Sequence, residues 1–316
     1  MQFRTKIPVQ QSPFPIDYDA TIVSIGSCFA VNMAQKLEYY KFRNSCNPFG
    51  IIFNPVSIEK LVERAVNKEF FTENDIFFYN DLWHCFDVHS ELSNPDKEIF
   101  LDLLNQLVDD TNQQITQSTH FLITYGTSWV YRNIESNQIV ANCHKLPQKY
   151  FTKEILSIET IQTAIQNTLS LIQSINPEAK FTLTVSPVRH IKDGFVENQR
   201  SKAHLISGIH SVLNSKLKTH NYFPSYEIMM DELRDYRFYA EDMLHPSALA
   251  VDYIWERFKE ASISDPVFGV MEEVENIQKS LAHKPFNPNS ESHLKFEANL
   301  RKKITKLESQ YPFMKF

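Results

Sequence analysis

Four residues have the types and spacing for nucleophilic acyl chemistry: the neighbours Ser27 and Cys28, and the pair Asp242 and His245. A serine or cysteine nucleophile needs a base to take its proton. An aspartate at i and a histidine at i+3, in a turn just before a helix, can share a hydrogen bond. That bond fixes the imidazole tautomer and leaves the other ring nitrogen to act on a nucleophile. Pro246 suits the first position of the following helix and holds the histidine at a defined boundary. The plain alternative for Asp242 is a cap beside a surface histidine.

The elements that must bring these residues together begin with Thr21-Ile22-Val23-Ser24-Ile25, an apolar β-branched run that stops at Gly26. Directly behind it, Ala30, Met33, Ala34 and Leu37 fall near one helical face. The reading is a strand over 20–26, a tight turn, and a helix over 28–40, with Ser27 and Cys28 at the top of a sheet. Further strands are expected over 119–125, ending at Gly126, over 180–186, ending before Pro187, and over 225–230. Helices are expected over 57–66, capped by Ser57, and over 95–117, 158–174, 198–219 and 247–261. Residues 1–18 read as an extended arm and 44–55 as a loop rich in turn formers. The aromatic stretch 69–93 fits a hairpin or a packed insertion, and 129–150 a small β excursion. Strands alternating with helices imply a parallel sheet covered on both faces.

In such a sheet, function gathers outside the carboxyl ends of the strands. That rule selects Gly26 to Phe29, Gly126 to Ser128, Pro187 to His190 and the loop ending at His245. Arg189 and His190 have the chemistry to bind an acidic or hydroxyl-rich substrate, or to sit in a solvated loop. His84, His89 and His144 lie in the aromatic or polar insertions and read as structural, and the aromatics of 69–93 as core or as the lining of an acyl or sugar pocket.

The composition narrows the classes. A formal charge of −6 gives no basic footprint for nucleic acid. No run approaches a membrane span, and the first residues hold no apolar signal core, so a cytoplasmic protein is expected. The four cysteines are scattered, without CxxC pairs, which fits reduced thiols; Cys143-His144 alone is no metal set, and no metal is expected. After Pro266 the chain turns helical, over 268–283 and, past a Pro-Asn breaker at 284–289, to about 309. The division expected is 1–265 and a helical extension over 266–316.

Ser24-Ile25-Gly26-Ser27-Cys28-Phe29-Ala30 carries the five letters that name the GSCFA family, and over about 20–260 the chain resembles that family and, through it, the SGNH or GDSL hydrolases. The resemblance implies a three-layer, flavodoxin-like α/β fold. Asp242-Met243-Leu244-His245 matches the superfamily's last block, Asp-x-x-His. Laid on the first block, Gly-Asp-Ser, the chain places Cys28 where the nucleophile stands and Ser27 where a helix cap is natural; a shift of one residue makes Ser27 the nucleophile. A thiol at a helix amino end gains from the local positive potential, which would favour a thiolate paired with His245. Gly50 is the candidate second-block glycine, its other role being a turn. Gly126-Thr127-Ser128 resembles the third block, with Ser128 in place of asparagine, so a hydroxyl of Thr127 or Ser128 substitutes as oxyanion donor or that donor is missing. The expected activity is ester hydrolysis or acyl transfer on a small or carbohydrate ester, with no cofactor. The competitors are a catalytically silent binding protein and a cysteine-dependent amidase.

Overall fold

A computed structural model describes residues 5–213 and 219–316. The chain runs through β1 (Thr21–Gly26), α1 (Cys28–Tyr39), β2 (Arg43–Cys46), α2 (Pro55–Asn67), β3 (Ile76–Tyr79), β4 (Leu82–Cys85), α3 (Lys97–Gln117) and β5 (His120–Tyr125). It continues through β6 (Trp129–Asn133), β7 (Ile139–Val140), β8 (Phe151–Ile155), α4 (Ile158–Ile175), β9 (Lys180–Val185), α5 (Phe195–Leu213) and β10 (His220–Phe223). Last come α6 (Ser225–Glu227), α7 (Ala248–Ser262), α8 (Phe268–Ala282) and α9 (Glu291–Gln310).

Five parallel strands form the central sheet in the order β10-β9-β5-β1-β2. Counted as met along the chain, that is the doubly wound 2-1-3-4-5 order, with its switch point between β1 and β5. Successive strand residues point to opposite faces. Val23, Phe121, Ile123, Phe181 and Leu183 meet α2 to α5 through Ile58, Phe100, Ile165 and Leu205. Ile22, Leu122 and Phe223 meet α1 and α7 through Phe29, Leu37, Ile254 and Phe258. The fold is a three-layer α/β sandwich. Met271 and Val274 of α8 and Leu300 and Leu307 of α9 join the second core with Tyr18 and Trp255. The helical tail therefore packs on the face that carries α1.

Two local devices aim the end of β1. Gly26 has φ 135°, and a Cβ there would stand 2.1 Å from Thr124 O, so only glycine lets β1 turn this close to β5. Its N–H donates to Asn47 Oδ1 at 2.7 Å, and Ser27 N–H donates to Thr124 O at 3.1 Å. The turn is thus tied to both neighbouring strands.

Several boundaries differ from the sequence reading, for identifiable reasons. The loop expected over 44–55 holds β2, a polar, half-buried edge strand with no apolar alternation to announce it. Asn54, not Ser57, caps α2: Asn54 Oδ1 accepts from Ser57 N at 2.9 Å, and Pro55 opens the helix. The stretch expected as a strand over 225–230 is a helical turn, α6, running into a wider turn over Ile228–Glu232, and β10 precedes it. Helix 198–219 begins earlier, at Phe195, and is described as far as Leu213; residues 214–218 lie outside the described residues. The aromatic stretch is a hairpin, β3 with β4, turned by Asn80 and Asp81, both at positive φ. The β excursion reaches Ile155 as a three-stranded antiparallel sheet, β7-β6-β8.

Candidate active site

Ser27 and Cys28 have separate places. Ser27 is 1 % exposed, and its hydroxyl caps α1 by accepting from Phe29 N at 3.2 Å. Cys28, the first residue of α1, is half-buried. Burial pushes its thiol above the usual value. The amides of Cys28 and Phe29 and the Lys202 cation pull the other way, and the Asp242 carboxylate adds to the rise. The group is held as a thiol, not as the thiolate that a helix amino end alone would favour.

The residues after β5 are tied to α5. Thr127 Oγ1 and Ser201 Oγ share a hydrogen bond of 2.8 Å, and Ser128 N–H donates to Ser201 Oγ at 2.7 Å. Ser128 Oγ donates to Ser201 O at 3.2 Å, and Trp129 N–H donates to Thr127 Oγ1 at 3.1 Å. Both hydroxyls thus serve the turn out of β5. Gly50 N–H is likewise engaged, donating to Asn47 O at 2.8 Å, and Gly126 N–H donates to Phe53 O at 2.8 Å.

Beneath this turn lies Lys202 of α5, 1 % exposed. Its ammonium donates to Gly126 O at 2.6 Å and to Ser186 O at 2.7 Å, joining the ends of β5 and β9. Those bonds use two of its three protons. Burial lowers its pKa to about 7, and attraction to Cys28 opposes that drop.

The loop before α7 carries the Asp-His pair. Asp242 Oδ2 meets His245 Nδ1 at 2.5 Å, while Asp242 Oδ1 accepts from Leu244 N at 2.9 Å and His245 N at 3.0 Å. These two amides and the imidazole hold the Asp242 pKa at about 2, so the carboxylate stays ionised. The loop is clamped by Ala240 N to His245 O at 2.8 Å and Ser247 N to Phe238 O at 2.8 Å. Arg189, a candidate for substrate binding, lines the cleft described below and also braces this loop. Its guanidinium donates to Met243 O, its N–H donates to Leu244 O at 3.1 Å, and it stacks over Tyr239 at 4.1 Å. Arg189 is a positioning residue for the Asp242–His245 turn.

His190 and His245 share a cleft of about 610 Å³ with Thr127, Phe53 and the inner face of the β7-β6-β8 sheet. His190 N–H donates to Asn198 Oδ1 at 2.8 Å, and its ring lies 5.6 Å from that of Phe53. Burial, then the charges of Lys202, His245 and Lys153, push its pKa to about 3, so the imidazole is neutral at ordinary pH. Of the other insertion histidines, His84 lies against Ser93 and His144 against Cys85 O, at 2.7 and 2.6 Å.

The GSCFA family model matches residues 21–258, and the model described as GSCFA domain protein, C-terminal domain, matches residues 274–316. The chain belongs to the GSCFA family. A search of the curated proteins finds no match. Among solved structures, this GSCFA protein is similar to a carbohydrate esterase family 3 protein from Talaromyces cellulolyticus, at 6 % identity and a TM-score of 0.28. The similarity covers 52 % of this chain and 67 % of that one.

The GSCFA letters themselves span the Gly26 turn, the Ser27 cap, the Cys28 thiol and the first buried residues of α1, Phe29 and Ala30. Sequence reasoning missed three residues of α5: Asn198, which holds His190, Ser201, which holds the β5 turn, and Lys202. A signal existed. Asn198, Ser201 and Lys202 fall on the same helical stripe as Leu205, Ile209 and Val212, and polar residues on a buried stripe need buried partners.

Proposed function

We propose that this GSCFA protein is a cysteine-dependent acyl-transfer enzyme acting on esters, with hydrolysis the outcome when water is the acceptor. The reading rests above all on the Asp242–His245 hydrogen bond, set at the same end of the sheet as Cys28, whose thiol feels the Asp242 charge. His245 takes the thiol proton as Cys28 Sγ attacks the acyl carbon. The ester C–O bond breaks, and the departing alkoxide receives that proton from His245. Water, or an acceptor hydroxyl, gives its proton to His245 and attacks the thioester; the C–S bond breaks, and His245 returns that proton to Cys28 Sγ. Asp242 fixes the imidazole, as in a triad. Oxyanion stabilisation falls to the amino end of α1, through Cys28 N–H, because the amides of Ser27 and Gly50 already have acceptors.

The four free thiols, Cys28, Cys46, Cys85 and Cys143, fit a reducing compartment, and we place the reaction in the cytoplasm. Among the described residues, no helix is long and apolar enough to cross a membrane. The engagement of Thr127 and Ser128 with Ser201 favours a second reading, a binding protein with little turnover.

One variant separates the two. On a panel of acyl esters and amides, His245→Ala is expected to lower kcat/KM by roughly 10³-fold on esters while the protein stays folded by circular dichroism. No turnover of any ester or amide by the parent protein would favour the binding reading, and turnover left unchanged by His245→Ala would contradict His245 as the base.

A further inference from the structure

The cleft is more basic than the protein around it. Against a formal charge of −6 for the whole chain, Lys145, Lys153, Arg189 and Lys192 line it with one carboxylate, Asp193. Asp193 is paired with Lys153, whereas Asp242 and Glu91 lie beside His245 and His89, which offset their charge only when protonated. The Arg189 guanidinium bonds to a carbonyl oxygen, which does not cancel its charge. Lys145 and Lys192 are exposed and have no carboxylate partner among the described residues. Lys145 and Lys192, exposed at the mouth, and the buried Arg189 behind them set a positive field on whatever enters.

The wall facing these cations is aromatic. Trp129 and Tyr131 stand on one face of β6 with Phe151 and Lys153 of β8 beside them, and Lys153 Nζ lies 5.6 Å and 5.0 Å from the two ring centroids. Broad ring faces of this kind stack on the C–H face of a sugar, while a lysine mouth selects for charge.

We propose that the substrate is an anionic carbohydrate ester, its ring against Trp129 and Tyr131 and its carboxylate directed to Lys145 and Lys192. This rests on the acyl-transfer reading for the bond that is broken, but its charge and its ring are read from the cleft alone.

The test uses the full-length Cys28→Ala protein, so that binding is measured without turnover. Calorimetric titration compares a de-esterified oligogalacturonide with a xylo-oligosaccharide of equal length, at low and high salt. The expected result is about 10-fold or more tighter binding of the oligogalacturonide, weakening as salt screens the cleft. Lys145→Ala with Lys192→Ala should remove that preference and leave xylo-oligosaccharide binding unchanged. Equal affinities, a preference for the neutral chain, binding of neither, or a preference that survives the double substitution would overturn the proposal. Turnover of neutral esters by the parent protein would then still support the acyl-transfer reading. Conversely, selective binding of the anionic chain by a protein that turns over no ester would leave the cleft's specificity standing without the chemistry.

Discussion

Cys28→Ala is expected to lower ester turnover by roughly 10³-fold or more, whereas Ser27→Ala should leave it within about 10-fold of the parent protein. The difference follows from where the two side chains sit. The Ser27 hydroxyl is enclosed and accepts the Phe29 amide, so it serves as the N-cap of α1. Its loss should appear in denaturant unfolding as about 1 kcal/mol of stability, the usual cap contribution. The Cys28 thiol is half-buried at the start of α1, where the Lys202 cation and the Asp242 carboxylate act on it with opposite signs. A serine at this position would be a poor substitute, because the site offers few free oxyanion donors and a thiol needs less help to attack. Steady-state kinetics of both variants, paired with their unfolding curves, separate a lost nucleophile from a weakened helix.

Lys202→Met should act through Cys28 and through stability, with signs that can be worked out. The folded-state pKa of Lys202 is lowered to about 7, against an unfolded value near 10.4. Between those two pH values the unfolded chain binds the extra proton, so the contribution of Lys202 to stability rises with pH, by at most about 1.4 kcal/mol per unit. Below pH 7 the folded and unfolded chains both carry the ammonium, and its burial in the folded state costs an amount that no longer changes with pH. Methionine removes this slope and leaves Gly126 O and Ser186 O without their donor, a pH-independent loss of about 1–3 kcal/mol. Parent minus variant, the stability difference should therefore grow from pH 7 towards pH 10. The same change takes a cation away from the thiol, so alkylation of Cys28 at neutral pH should slow by several-fold, on the order of 10-fold per unit of further pKa rise. A purely structural lysine would alter the unfolding curve and leave the pH profile of alkylation where it was.

The legible parts of this protein are those encoded locally. The β-branched run into Gly26 announces β1 and its turn, and Asp242 with His245 announces itself by spacing, because the hydrogen bond between them spans one turn of chain. The strands that are fully buried, such as β5, read as continuous apolar runs. What escapes is set by tertiary context. β2 is short, polar and at the sheet edge, and Ile228 and Met229 are buried by helical turns although their neighbourhood suits a strand equally well. Lys202 is a lysine by type and a core residue by position, and only the carbonyls of Gly126 and Ser186, from two distant strand ends, explain it. Arg189 shows the converse: placed correctly after β9, it also holds Met243 and Leu244, in a loop more than fifty residues away that its own neighbourhood in sequence does not announce.

The most direct measurement is to trap the intermediate. Brief reaction of the parent protein with an activated acyl ester, an acid quench and peptide mapping by mass spectrometry should find one acyl group on Cys28, removable by neutral hydroxylamine as a thioester and absent from Cys28→Ala. An acyl group on Ser27, or steady turnover that survives Cys28→Ala, would contradict the assignment of Cys28 as the nucleophile.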